Sequence, residues 1–387
     1  MERVPAAPKG SPCFHFERER GLNAAQISSI DIKRAPGGHA TLEVQQVAGE
    51  SAVTSVVASS PLKLLTPRAR GQSVWAFTSS FGGGLVAGDQ TRLDLRLGAG
   101  ARCFVGTQAS TKIYRNPSCR PCGHVTQAAL EAGSLLVLAP DPVQPFAHSI
   151  YAQQQEFHLG PGAGLVLVDW FCSGRAARGE RWAFNRFQSR NEVWSAVPTA
   201  KGDFASSLLD EAAAQTPSPP SDGGEGRGEE AHCSSGFQSE IAPLASSLPT
   251  RPSRGERDNG AMAVAHGTRL GERASDRPEA RIFLDSLHLD SADGSLGSSH
   301  RTGRFNCCAL LLVLGPPVRQ IAVQLLETVS QRPVTRGDTV VCSASPVCDG
   351  ALLRVAAETV ERAGREIHRH LEPVIGLLGD DPFARKW

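Results

Sequence analysis

The sequence predicts a mainly β fold: a β-helix-like stack of strands, with two α-helices in the C-terminal half and a disordered insert that interrupts the β pattern. Three observations predict it. Apolar and polar residues alternate through the first half, a small glycine turn recurs between the alternating segments, and a stretch rich in Pro, Gly, Ser and charge precedes a change to helical spacing.

The alternation runs from Gly38 to Phe184. Leu93, Leu95 and Leu97 fall on one face and Arg92, Asp94 and Arg96 on the other, which is the period of a strand. The turns Ala99-Gly100-Ala101, Ala132-Gly133-Ser134 and Pro161-Gly162-Ala163 stand between apolar segments, 33 and then 29 residues apart. Glycine supplies the positive φ of such reversals, and the near-regular spacing suggests stacked β units. An ordinary β-sandwich with glycine turns fits the same pattern, and period alone does not separate the two.

Composition then divides the chain into a tail (1–37), a first part of the β core (38–204), an insert (205–280) and a completing segment with helices (281–387). Within the insert, Thr216 to Glu230 reads TPSPPSDGGEGRGEE, which offers too little apolar surface to offset its ordering entropy. Alternation resumes at Arg281 to Asp290, so the insert is expected to interrupt one domain at a loop. Beyond Pro317 one helix is expected over Val318 to Val329. A longer one is expected to carry Leu353, Ala356, Val360, Ala363, Ile367 and Leu371 at spacings of three and four, ended by Pro373.

The 387 residues and 40% hydrophobic content suffice for a sizeable core. A net charge of +1 leaves no basic footprint for tracking a phosphate backbone, so nucleic acid is not an expected partner. Met1 to Arg20 is charged and proline-broken rather than signal-like, and the longest apolar runs, Ala309 to Leu314 and Gly164 to Val168, are too short for a bilayer. A cytoplasmic protein without a membrane span is expected. Its ten cysteines, the adjacent Cys307 and Cys308 among them, then read as reduced, packed side chains.

Several enzyme signatures fail on their context. Gly82 to Ala87 fits the dinucleotide pattern GxGxxA, but Gln90 to Leu97 alternates as a strand where that motif requires a helix. No GxxxxGK[ST] loop and no GxSxG elbow is present, and Ser110-Thr111-Lys112 is too tight for an SxxK site. Asp89, Asp141, Asp169 and Glu180 sit at expected turns or strand ends, where carboxylates serve as acid/base pairs, as metal-passing oxygens or as turn caps. Cys119, Cys122 and His124 carry zinc-ligand chemistry but lack the second half of a four-ligand site nearby. His148, His158, His368 and His370 read as packed or solvated, lacking zincin spacing.

Four short motifs occur in order: GGGLVAGD (Gly82 to Asp89), TQASTKIY (Thr107 to Tyr114), PDPVQPF (Pro140 to Phe146) and SGRAARGERWAF (Ser173 to Phe184). Together they make the chain resemble the UreD (UreH) family of urease accessory proteins from about Gly38 to Trp387, excluding the insert. The resemblance implies a non-enzymatic, nickel-insertion chaperone with a β-helix-like fold and two helices. It also implies the partners apo-urease, UreF and, through UreF, the GTPase UreG, with Ni²⁺ passing transiently through an internal passage and no tightly bound cofactor.

A conduit needs weak, exchangeable ligands, so oxygen suits it better than His or Cys. On the matching motifs, Asp89, Asp141 and Glu180 are expected to line the passage or steer ions, with Arg175 and Arg181 orienting carboxylates. Gly83, Gly84, Gly88, Thr107, Ser110, Thr111, Lys112 and Tyr114 are expected to shape the fold or a partner surface. The insert and the Cys119 to His124 segment depart from the family pattern. Two other classes compete: a carbohydrate-active β-helix enzyme using Asp89, Asp141 and Asp169, disfavoured by the 6% aromatic content, and a zinc-dependent interaction module at Cys119, Cys122 and His124.

Overall fold

The structure is a computed structural model that describes residues 37–68, 71–195 and 279–384. The expected disorder of the insert lies outside the described residues, except that the chain is already extended at Ala280. Strands β1 (Gly38–Val47) and β2 (Glu50–Ala58) form an antiparallel pair, and β3 (Leu62–Leu65) pairs antiparallel with β4 (Val74–Ser80).

From β4 the chain winds in three-sided coils. The first holds β4, β5 (Gly84–Leu85) and β6 (Gln90–Leu97); the second β7 (Arg102–Thr107), β8 (Lys112–Ile113) and β9 (Cys122–Leu130). The third holds β10 (Leu135–Leu138), β11 (Gln144–Pro145) and β12 (Ile150–Leu159). Then come β13 (Gly164–Cys172), the short hairpin β14 (Gly174–Arg175) and β15 (Glu180–Arg181), and β16 (Arg186–Ser195). Corresponding strands of successive coils pair in parallel, the signature of a β-solenoid. The corners are the recurring glycine turns, with φ of 69° at Gly100, 65° at Gly133 and 69° at Gly162.

Strand β17 (Ala280–Asp290) adds antiparallel to β16, and β18 (Cys307–Leu314) antiparallel to β13. Helix α1 (Arg319–Ser330), strands β19 (Val340–Val347) and β20 (Gly350–Ala357), and helix α2 (Val360–Leu378) complete the fold. The result is a seven-stranded sheet β17-β16-β12-β9-β6-β1-β2, an eight-stranded sheet β19-β20-β18-β13-β10-β7-β4-β3, and a three-stranded sheet β11-β8-β5. One apolar cluster, including Leu95, Leu97, Phe157, Leu165 and Leu312, lies between the two large sheets. A second joins the eight-stranded sheet to both helices, and a third gathers Leu85, Ile113, Tyr151, Phe171 and Phe187 beside the small sheet.

The long helix departs from its expected bounds at both ends. Leu353 and Ala356 belong to β20, paired on both sides by β18 and β19, and the helix starts only at Val360, where Thr359 accepts the Arg362 amide at 3.3 Å. A strand buried on both faces reads as a continuous apolar run, which also satisfies helical spacing. Pro373 does not end α2. It sits on the exposed side, while Val374 and Leu378 one face over are fully buried, and the helix stops at Gly379 with φ 82°. Burial of that last turn outweighs the one hydrogen bond the proline removes.

Candidate functional site

Inward-facing positions on β6, β9, β12, β16 and β17 line up in cross-strand rows. Leu95, Ala128, Phe157, Val193 and Phe283 form one row, all apolar. Two residues along, the row is Leu93, Thr126, Gln155, Asn191 and Asp285, and two further along it is Thr91, His124, Gln153, Ser189 and Leu287. The next row, Cys122, Tyr151, Phe187 and Leu289, is apolar again and packs in the third cluster. A polar layer two residues deep therefore lies inside the molecule between two apolar layers.

Hydrogen bonds cross this layer almost without a break. Thr91 Oγ1 lies 2.8 Å from His124 Nδ1, and Thr126 Oγ1 3.1 Å from His124 Nε2. Gln155 donates to Asn191 Oδ1 at 2.8 Å, and Tyr151 donates its hydroxyl to Gln153 Oε1 at 3.1 Å. Asp169, reaching in from β13 of the opposite sheet, accepts from Gln153 at 3.0 Å, Ser189 at 2.5 Å and Asn191 at 2.8 Å. Despite these donors, desolvation raises the Asp169 pKa, and it lowers that of His124 to about 4, so the imidazole is neutral near pH 7.

Asp169 lines two cavities. The first, about 250 Å³, is lined at one side by Ser79, Ser80, Gly83, Ser110 and Thr111, and inside by His124, Asp141, Gln153 and Asp169. The second, about 410 Å³, is lined by Asp169, Asp285, Ser343 and Arg354 among others. There Arg354 donates to Asp285 Oδ1 at 2.6 Å, joining β20 to β17 across the open edge of the two large sheets. The arrangement places carboxylate, amide and hydroxyl oxygens on the walls of these cavities, which suits exchangeable contact with a hard or borderline cation.

Residues of the first three motifs, among them Gly83, Thr107, Ser110, Thr111 and Asp141, line the first cavity. The backbone after β4 turns tightly, with positive φ at Gly82 (78°), Gly83 (73°) and Gly88 (88°). Gly84 is extended, but a Cβ there would come 2.2 Å from the Lys112 carbonyl oxygen, so only glycine allows β5 to pair with β8. The Tyr114 hydroxyl donates to Gly82 O at 2.8 Å and ties the glycine loop to the next coil. Thr107 Oγ1 donates to Asp141 Oδ2 at 2.8 Å and accepts the Asp141 amide at 2.7 Å, fixing that carboxylate on the cavity wall.

Of the expected ion-steering residues, Asp141 lines the first cavity. Asp89 accepts the Val86 amide at 2.9 Å and caps the glycine loop. Glu180 is clamped by Arg175 (Nε to Oε2, 2.9 Å) and by Arg115, and takes the Ala147 amide at 3.3 Å; these contacts lower its pKa to about 2. Arg175 also lies 4.1 Å from the centroid of the Phe146 ring, joining the last two motifs. Arg181, expected to orient a carboxylate, instead donates to the Phe305 carbonyl at 3.1 Å and to Asn306 Oδ1.

The possible zinc set does not assemble. Cys119 is exposed on a turn, Cys122 is buried with its thiol 3.5 Å from Ile150 O, and both His124 nitrogens face threonine hydroxyls. Among the described residues no group of three or more His, Cys, Asp or Glu could hold a metal ion. Nor do the three aspartates of the carbohydrate-enzyme reading converge, because Asp89 lies outside the cavity that Asp141 and Asp169 share. Gln153, Gln155, Ser189, Asn191 and Asp285 were not singled out by sequence. Their signal was present as polar residues at inward positions of otherwise apolar alternation, such as Gln153 and Gln155 ahead of Phe157 and Leu159.

Comparison with known proteins identifies relatives of this chain. A family model described as UreD urease accessory protein matches residues 37–217 and 253–385. A urease accessory protein UreD of Sorangium cellulosum is 36% identical over 351 residues, covering 90% of this chain and 84% of the relative. One of Anaeromyxobacter is 33% identical over 348 residues, covering 90% and 89%. Urease accessory protein D of Arabidopsis thaliana is 37% identical over 155 residues, covering 39% of this chain and 53% of the plant protein.

Proposed function

The chain belongs to the UreD urease accessory protein family, and from that premise we propose that it is a non-enzymatic scaffold for nickel insertion into apo-urease in the cytoplasm, acting with UreF and UreG. The observation that carries the proposal is the polar layer that meets both cavities at Asp169. Among the described residues no helix is long and apolar enough to cross a membrane.

Nickel is the cargo in this reading. Ni²⁺ enters at the motif-lined mouth, contacts Asp141 and Asp169 in turn, and leaves past Asp285. Oxygen ligands release such an ion readily, whereas converging thiolates and imidazoles would retain it. Asp169 suits this role because burial disfavours its charge, a cost that an arriving dication offsets. Asp89, Glu180 and Arg175 then hold the walls in shape and do not touch the ion.

Coexpression with apo-urease, UreF and UreG tests both levels. Omission of this chain is expected to leave urease without nickel; equal activation without it would refute the scaffold role. In the Asp169→Leu variant the complex is expected to assemble with reduced nickel in the isolated urease, and full metal loading would refute the route.

A further inference from the structure

The geometry points to a docking site for an acidic peptide segment of a partner protein on the outer face of α2, away from the proposed nickel path and independent of it. An open depression of about 250 Å³ is lined by Arg332, Arg362, Arg365 and Arg369, with Asp338 and Glu366 as the acidic lining residues. Both carboxylates are already engaged. Glu366 accepts from Arg332 at 3.1 and 3.2 Å and lies 3.5 Å from Arg369, while Asp338 takes the Thr335 amide and hydroxyl, each at 2.7 Å. Arg362 donates to Thr339 Oγ1, and Arg365 lies near the Glu361 charge. Four guanidinium groups thus converge on a depression whose own acids leave donors over.

A second observation lies beneath the arginines. His370, 6% exposed, adjoins Arg332, Glu366 and Arg369 in a small enclosed space next to the depression, and its Nε2 has no hydrogen-bond partner among the described residues. Glu366 Oε1 lies 3.4 Å from that nitrogen, and the contact with His370, with Arg369 and Arg332 beside it, holds the Glu366 carboxyl down at about 2.

Spacing selects the ligand. Arg362, Arg365 and Arg369 are three and four residues apart on one exposed helix face, so the row extends about 10 Å along the axis. A single phosphate reaches only part of such a row. An extended chain rises about 3.3 Å per residue with side chains alternating, so three or four residues cover it. A peptide with acids at alternate positions places successive carboxylates along the arginines, each able to pair through two parallel hydrogen bonds.

The test uses the full chain and a fluorescein-labelled octapeptide of alternating Glu and Ala, followed by anisotropy. Saturable binding that weakens with salt is expected, with about tenfold loss in Arg365→Glu and more in Arg362→Glu/Arg369→Glu. Arg96→Glu, on the seven-stranded sheet, is the charge control and is expected to bind as the parent does. All four positions are exposed, so folding is checked by circular dichroism. Equal affinity in the α2 variants and the parent would overturn the proposal, as would displacement of the peptide by inorganic phosphate at matched charge.

Discussion

The two ends of the same strands tell different stories. On β6, β9, β12 and β16, the half nearest the glycine turns carries Leu95, Ala128, Phe157 and Val193 inward, packed dry against the opposite sheet. Two rows along, the same strands carry Thr91 hydrogen-bonded to His124, and Gln153 and Ser189 hydrogen-bonded to each other and to Asp169. Backbone and pairing are identical in both halves. Coil stacking therefore provides a rigid frame, and the side chains chosen for each row decide whether its interior is sealed or open to polar cargo.

The largest expected effect comes from the dry half. Phe157→Ala removes a ring with no exposed surface and is expected to destabilise by about 3–5 kcal/mol in denaturant unfolding. A loss under 1 kcal/mol would mean that the apolar layer does not carry the stability assigned to it. Gly84→Ala at the mouth is next, because its methyl would meet the Lys112 carbonyl; about 1–3 kcal/mol is expected. Gly82→Ala has open space and only the positive φ against it, so about 1–2 kcal/mol bounds its cost. In the polar half, Thr126→Val removes one partner of His124 and is expected to cost about 1 kcal/mol.

Acid acts with opposite signs on groups within the polar half. His124 titrates near 4 in the fold against 6.5 unfolded, so the unfolded chain takes up the proton first and stability falls as pH drops from 6.5 toward 4. Glu180, lowered from 4.5 to about 2, contributes stability that is lost as pH falls from 4.5 through 2. Asp169 acts in the opposite direction: its raised pKa makes the folded protein keep its proton longer, so its penalty fades as pH falls toward 3.8. Melting temperatures across this range for His124→Gln and Glu180→Gln are expected to flatten the upper and lower parts of the acid limb respectively. Parallel curves for parent and variants would remove these groups from the acid response.

Much of the fold was legible because local chemistry and pairing agree. The glycine turns, the alternation of Leu93, Leu95 and Leu97, and the helix now seen at Arg319–Ser330 each carry their cause in a short window. The start of α2 was not legible, since Leu353 and Ala356 satisfy two periods and only β18 and β19 on either side make them a strand. The candidate site was legible at its mouth, where the motifs of Gly82 to Asp89 and Thr107 to Tyr114 meet, but not along its length. Asp169 accepts from Ser189, 20 residues away, and from Asn191, 22 away, and Arg354 meets Asp285 across 69 residues. Such spans have no local pattern.

By itself, then, the sequence determined the family, the coil period and the absence of a nucleotide loop at the triple glycine, because each depends on a few neighbouring residues with fixed backbone demands. Only the tertiary structure decided which polar residues share an interior row, that Glu180 is clamped while Asp141 lines a cavity, and that His124 is a packed base. Those outcomes depend on strand register between distant segments. A shift of one residue would send every one of these side chains to the opposite face of the sheet.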